Sequence, residues 1–467
     1  MIATLLAAAL LAAPAASPPS AVPRTLRVDV HHTGTATEEH FSLDRLVLEP
    51  TAWPGNPARA VDDTNLGKYL FEVLDRKTNR VVYSRGFASV YGEWETTAEA
   101  NAVWRTFHES LRFPLPAGPV QVVVKKRDAE NAFREVWSLL VDPADPAIDP
   151  SLPPSPGELL KIEHNGPSAE KVDFLILGDG YTAAERGKFE RDARRLVEIL
   201  FNTSPFKERR RDFNVWGLCP PAQESGISRP STGVHRRSPV GATYDAFGSE
   251  RYILTFENRA LRDVASFAPY EFIEILTNSR TYGGGGIFGQ YSTVAADSLW
   301  APYVFIHELG HHFAGLADEY YTSEVAYEPA AEPVEPWERN VTVHPEREAL
   351  KWRDLVAADT PLPTPWSKTA FEEDSATFQK RRREIRAQNR SEDEMDALFI
   401  EKRIADTKLL GSETWAGKVG AFEGANYAAQ GYYRPQADCI MFTRDEVPFC
   451  HVCRRAIEEV IDLYVGR

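Results

Sequence analysis

Apolar and polar residues alternate in the first third of the chain, as they do in β-strands that bury one face. Leu26, Val28 and Val30 are separated by polar residues, and a polar turn at 75–79 joins two apolar runs as in a hairpin. The pattern predicts strands at residues 26–30, 69–74, 80–83, 120–124 and 136–141. Short strands at this spacing predict a small all-β sandwich domain over residues 24–142.

Beyond this region the pattern changes to alternating strands and helices. Residues 143–158 are rich in proline, which predicts a stiff, extended linker. The next elements are predicted as a strand at 172–177, an amphipathic helix at 183–200 and a strand at 213–218. This order is typical of a βαβ unit, so we expect an α/β (α+β) domain over residues 159–467. A highly charged stretch at about 346–410 indicates an inserted helical segment.

One apolar helix, predicted between Pro302 and Gly315, contains candidate metal ligands and a candidate general base. Its sequence contains His307, Glu308 and His311 in the pattern His-Glu-x-x-His. Four-residue spacing places the two imidazoles on one helix face, where both can bind Zn²⁺. Glu308 can then reach a water on the metal and act as general base.

A catalytic zinc site needs a third protein ligand. Gly315 allows the chain to turn back, and Asp318 follows three residues later. This layout resembles that of the metzincins, with one extra residue between His311 and Gly315, and it favours Asp318 as the ligand. Other candidates are Glu319, His344 and Glu423. The neighbouring His312 points off the ligand face and is expected to have a supporting or packing role.

Several further stretches are similar to the secreted bacterial IgA-peptidase family, family sixty-four of the metallopeptidases. They are residues 174–182, 283–297, 307–320, 420–425, 431–435 and 439–453. The resemblance implies a metzincin-like zinc peptidase domain, preceded by the all-β domain, that cleaves protein or peptide substrates. It also implies a Met-turn at Met441, and an assisting tyrosine for which Tyr320, Tyr432 and Tyr433 are candidates.

Three smaller features leave alternatives open. Residues 283–293 are predicted as an edge strand able to pair with an extended peptide, although a plain glycine turn fits equally well. Residues 178–180 (Gly-Asp-Gly) suggest a turn at a strand end, with Ca²⁺ binding as an alternative. The even number of cysteines in an exported chain favours disulfides. A structural metal, redox activity or free thiols are the other readings of Cys219, Cys439, Cys450 and Cys453.

Composition and the first residues bear on location and partners. The 467 residues include 53 basic and 68 acidic ones, a net charge of −15, which argues against nucleic-acid binding. Residues 1–16 read as a signal peptide, and no apolar run after them is long enough to span a membrane. We therefore expect an exported monomer, periplasmic or extracellular. A different metal-dependent hydrolase and an inactive binding protein are the alternative functions.

Overall fold

The structure, a computed structural model, describes residues 22–323, 333–445 and 447–466. The predicted signal peptide at residues 1–16 lies outside the described residues. Among the helices that are described, none is both long and apolar enough to cross a lipid bilayer.

The N-terminal region consists of antiparallel strands, as predicted. Its elements are β1 (Arg24–Gly34), β2 (Glu39–Ala52), β3 (Tyr69–Asp75), β4 (Val81–Phe87), α1 (Val90–Trp94), β5 (Arg105–Pro114), β6 (Val120–Arg127) and β7 (Phe133–Val141). One sheet has the order β2-β1-β5 and the other the order β4-β3-β6-β7. Apolar side chains of both sheets form a common core, in which Leu26, Val28 and Val30 are at most 1% exposed.

The remainder of the chain is mixed α/β. Its strands are β8 (Leu160–Glu163), β9 (Val172–Asp179), β10 (Phe213–Leu218), β11 (Ala242–Thr243), β12 (Leu254–Thr255), β13 (Phe272–Thr277), β14 (Gly284–Ile287), β15 (Tyr291–Ala295), β16 (Phe422–Ala425) and β17 (Ala428–Arg434). Its helices are α2 (Arg186–Leu200), α3 (Phe206–Arg209), α4 (Asn258–Ala265), α5 (Ala301–Ala314), α6 (Lys368–Ala387), α7 (Glu392–Gly411) and α8 (His451–Val465).

A six-stranded sheet with the order β14-β15-β13-β9-β10-β8 forms the centre of this part. Strands β9 and β10 are parallel and are joined through α2, which confirms the predicted βαβ unit. Every residue of β9 is buried, as expected for a strand with covered faces. The outermost strands β14 and β8 run antiparallel to their neighbours. Because β14 is the first strand in this order, it is an edge strand, and it lies beside α5.

The charged insertion differs from its prediction in extent. Its helices begin only at Lys368, and residues 346–367 contain just one short 3₁₀ turn. Pro361, Pro363 and Pro365 explain the end of this stretch, because proline removes a backbone donor and disfavours helix at the preceding residue. Helices α6 and α7 also bury several apolar side chains in the main core.

The N-terminal region packs directly on the α/β part. Arg27 of β1, fully buried, bonds Asp263 at 2.6 Å, and the backbone N–H of Ala88 donates to the carbonyl of Phe288 at 2.9 Å. The predicted linker is not extended throughout, because residues 143–148 form turns, and it is attached to β2, since Asp149 exchanges backbone hydrogen bonds with residues 46 and 48. The two parts therefore share a surface, and this surface borders the site described next.

Candidate metal centre and cleft

Helix α5 ends where the sequence predicted. Pro302 lies in its first turn, and Gly315 adopts a left-handed conformation with φ 56°. The N–H groups of Gly315 and Leu316 donate to the carbonyls of His311 and Gly310, which closes the helix and turns the chain back. A side chain at Gly315 would be strained by this φ and would also meet the ring of Trp337 at 2.6 Å.

This turn brings Asp318 to the two histidines. The Nε2 atoms of His307 and His311 lie 3.2 Å apart, and Asp318 Oδ1 lies 3.0 Å from the first and 3.2 Å from the second. Ligands of a tetrahedral zinc ion at ~2.0–2.1 Å lie about 3.3 Å apart, close to this spacing. Burial alone would raise the pKa of Asp318, but when no metal is bound the positive charge of His311 holds that pKa well below its usual value.

Hydrogen bonds around these three side chains leave their facing atoms free for a metal. His307 Nδ1 donates to the carbonyl of Ile440 at 2.9 Å, and His311 Nδ1 donates to that of Leu316 at 2.5 Å. Each Nε2 atom therefore keeps its lone pair toward the centre. Buried Asp318 Oδ1 accepts no hydrogen bond from the described residues, so the donor set fits a divalent metal.

The alternative third ligands lie elsewhere. Glu319 points away from the histidines toward buried cysteines, with its Oε1 3.3 Å from Cys453 Sγ. Glu423 forms an ion pair with Lys368 at 2.7 Å, and His344 is exposed. The structure thus groups only Asp318 among these candidates with the two histidines.

Other residues of α5, His312 and Gly310, pack into the protein interior. His312 is fully buried, hydrogen-bonds Ser292 Oγ at 3.1 Å and lies edge-on to Phe272. Its burial lowers its pKa to about 3, so it is neutral, in agreement with the predicted packing role. The sulfur of Met441 lies so close to Gly310 that an added Cβ would be 2.8 Å away.

Glu308 lies on the other side of the helix, between the metal centre and β14. Its burial raises its pKa, an effect that the two neighbouring histidines partly offset. Strand β14 can come this close because it has no side chains where it meets the helix. A Cβ at Gly284 would be 3.1 Å from Glu308 Cγ, and one at Gly286 would be 2.3 Å from the Glu308 carbonyl oxygen.

A cleft of about 780 Å³ passes over these residues. Its walls come from both parts of the chain, and the N-terminal region contributes Lys68, Glu93 and Arg127. The segment 333–338 also lines the cleft and is joined to the N-terminal region, where Asn131 donates to the carbonyl of Glu335 at 2.7 Å. Nothing in the sequence pattern indicated that the β-sheet region lines the site.

Several tyrosines surround the centre. The ring of Tyr320 lies parallel to that of His307, with centroids 6.2 Å apart, and its hydroxyl accepts a hydrogen bond from Arg251 at 3.2 Å. Tyr432 also lines the cleft, whereas Tyr433 does not. The sequence analysis missed Tyr427, whose hydroxyl donates to Asp318 Oδ2 at 2.5 Å from the β16–β17 turn.

The structure disfavours Ca²⁺ binding at residues 178–180 and contradicts the expected disulfides. Asp179 accepts hydrogen bonds from Ser238 Oγ and the backbone N–H groups of Val240 and Ala242, which occupy the oxygens that Ca²⁺ would need. The disulfide expectation is wrong for this structure, because all four cysteines are unbridged. Cys439 and Cys453 have their sulfurs 3.9 Å apart, far beyond the ~2.05 Å of a disulfide bond.

Comparison with known families supports the resemblance seen in the sequence. A family model described as IgA Peptidase M64 matches residues 160–461, and one described as Peptidase M64 N-terminus matches residues 20–138. Together they cover nearly the whole chain. No curated protein matches it.

The hydrogen bond from Tyr427 to Asp318 provides a test of metal binding at this centre. Tyr427→Phe removes the donor to Asp318 Oδ2 without changing the backbone, and we expect metal affinity to fall by about 10- to 100-fold. Competition with a chelator of known affinity measures this change. Tyr433→Phe, on the same hairpin but outside the cleft, is the matched control. Equal affinity in both variants would show that Asp318 does not depend on Tyr427 for binding.

Proposed function

Because the chain belongs to the IgA peptidase M64 family and is therefore a metallopeptidase, we propose that it is a zinc-dependent endopeptidase. The observation that carries this proposal is the convergence of His307, His311 and Asp318 at 3.0–3.2 Å beside a cleft that also contains Glu308. Two imidazoles and a carboxylate suit zinc, and three protein ligands leave one position open, as in catalytic sites.

Glu308 is the general base in this proposal. Bound zinc would supply the Lewis acidity that activates a water and polarises the scissile carbonyl. Glu308 takes the proton of the attacking water and passes it to the nitrogen of the leaving amine as the C–N bond breaks. A pKa raised by burial suits this exchange, since a stronger base removes the proton more readily.

Tyr320 is the best placed of the tyrosines to assist. Its ring lies against His307 and lines the cleft. Arg251 donates a hydrogen bond to its hydroxyl oxygen, which makes the hydroxyl a stronger hydrogen-bond donor in turn. We assign to its hydroxyl a hydrogen bond to the oxygen of the tetrahedral intermediate, a role that acts mainly in the transition state.

An extended peptide fits the edge strand. The N–H and C=O groups of Gly284 bond Arg251 and Ile253, and residues two apart in a strand present the same edge. Gly286 therefore turns its backbone groups to the cleft that it lines. A substrate strand pairing there would lie across the metal centre, which favours a peptide over a small acyl substrate.

The proposed catalytic part is metzincin-like in its local arrangement. The points that support this are the glycine turn before the third ligand and the sulfur of Met441 against Gly310, which is next to His311 in the chain. The extra residue between His311 and Gly315 is accommodated at the helix end, where Leu316 bonds the carbonyl of Gly310.

We also propose that the protein is exported, on the apolar run of residues 1–16. Mass spectrometry of the protein recovered outside the producing cell should find a chain that begins near Ala16 or Ser17. A chain that stays in the cytosol with Met1 to Ala16 intact would contradict export.

Replacement of Glu308 tests the mechanism. Glu308→Gln should retain bound zinc, because the histidines and Asp318 are unchanged, but lose about 10²- to 10⁴-fold of its peptide cleavage. Zinc content and hydrolysis of casein or a peptide library are measured together. Glu348→Gln, at an exposed position, should behave as the wild type. Cleavage that persists in Glu308→Gln would remove Glu308 from its role.

A second substitution tests the assignment of Tyr320. Tyr320→Phe should lower kcat by about 10²-fold and leave KM nearly unchanged, since the hydroxyl acts on the transition state. Steady-state kinetics on one peptide substrate, with Tyr433→Phe as control, measures both constants. An increase in KM alone would instead assign Tyr320 to substrate binding.

A further inference from the structure

Behind the metal centre, three cysteines and one glutamate surround a second point. The ligand atoms of Glu319, Cys439, Cys450 and Cys453 all lie within 4.8 Å of one another. Sulfurs of Cys439 and Cys453 are 3.9 Å apart, and Glu319 Oε1 is 3.9 Å from the Cys450 sulfur and 3.3 Å from the Cys453 sulfur. All four side chains are at most 4% exposed.

Backbone N–H groups are directed at two of these sulfurs. Cys450 caps the N-terminus of α8, where its sulfur accepts the N–H of Cys453 at 3.4 Å. The sulfur of Cys439 accepts the N–H of Cys450 at 3.3 Å. Hydrogen bonds of this kind, from backbone N–H groups to sulfur, orient cysteine side chains that bind a metal.

Glu319 adds an unsatisfied carboxylate to the same point. Its Oε1 accepts a hydrogen bond from Asn340 at 3.0 Å, whereas its Oε2 has no hydrogen-bond partner in the described part of the chain. Glu319 also forms no ion pair with any described basic side chain within 4.0 Å. A fully buried carboxylate beside three thiols is costly unless a cation is present.

We propose that Cys439, Cys450, Cys453 and Glu319 hold a second zinc ion with a structural role. In a tetrahedral zinc site, sulfurs lie about 3.8 Å apart and a sulfur and a carboxylate oxygen about 3.6 Å apart. The observed distances of 3.3–3.9 Å bracket these values. Four protein ligands leave no open position, which is the arrangement of structural rather than catalytic sites.

The second ion would stabilise the geometry of the first. The turn that carries Cys439 also carries the Ile440 carbonyl that orients His307, and its Met441 carbonyl accepts the N–H of Glu319 at 2.9 Å. Asp318 and Glu319 are adjacent and face opposite ways, one toward each site. A metal bound to the cysteine site would therefore hold in place both the turn at Cys439 and the loop at Glu319, which position the catalytic ligands.

Metal content distinguishes the two sites. We expect the wild type to contain about two zinc ions per chain, and both His311→Ala and Cys453→Ser to contain about one. Cys219→Ser is the matched control, because Cys219 lies outside the cluster, and it should keep both ions. Cys453→Ser should also bind the ion at the histidines more weakly, because the second ion no longer holds the turn at Cys439 in place.

Cobalt substitution identifies the ligands directly. Wild type and His311→Ala should both show the near-ultraviolet charge-transfer bands of Co²⁺ bound to thiolates, independently of peptide cleavage. The proposed peptidase function can therefore fail while this signal remains, and the reverse also holds.

Results from the wild type alone can overturn the proposal, even if Cys453→Ser does not fold. One zinc ion per chain without cobalt–thiolate bands would do so. A thiol assay on the denatured, chelator-treated protein should give about four free thiols, since thiolates bound to a metal are not oxidised. About two free thiols would identify a disulfide in place of the metal.

Discussion

The geometry of the metal centre depends on how closely other segments approach helix α5. On one side, β14 meets the helix through Gly284 and Gly286, where a Cβ would collide with Glu308. On the other side, the sulfur of Met441 fills the space left by Gly310, one residue before His311. Since interiors are close-packed, a side chain added on either side would move the helix and, with it, both imidazoles. The ligand spacing is therefore a result of packing as much as of the motif.

The local part of the site could be predicted from the sequence because helical periodicity determines it. The spacing of His307, Glu308 and His311 and the glycine that ends the helix are all contained in one short stretch. The position of Asp318 follows from that helix end. Tyr427, in contrast, reaches Asp318 across 109 residues of chain, and Glu319 meets Cys453 across 134. Such contacts arise from tertiary packing and leave no periodic signal.

The same distinction applies to the fold. Alternation in the first third and the βαβ pattern after it report which face of each element is buried, and the structure has both features. High charge at 346–367 was misleading, because charge indicates exposure and not helix, and the three prolines at 361–365 exclude a regular helix only from the end of this stretch. The role of Lys68, Glu93 and Arg127 in the cleft could not be foreseen, because it depends on how the two parts of the chain pack together.

Two parts of the chain contribute differently to this shared cleft. The side chains proposed to bind metal and move protons all lie after residue 300, and the hydrogen bonds that orient them come from the same part. The β-sheet region contributes only a wall. We expect side chains on this wall that do not pack against the α/β part to tolerate substitution without displacing the reacting groups. In evolutionary terms, such wall positions would be the simplest place for the shape of the cleft to diverge.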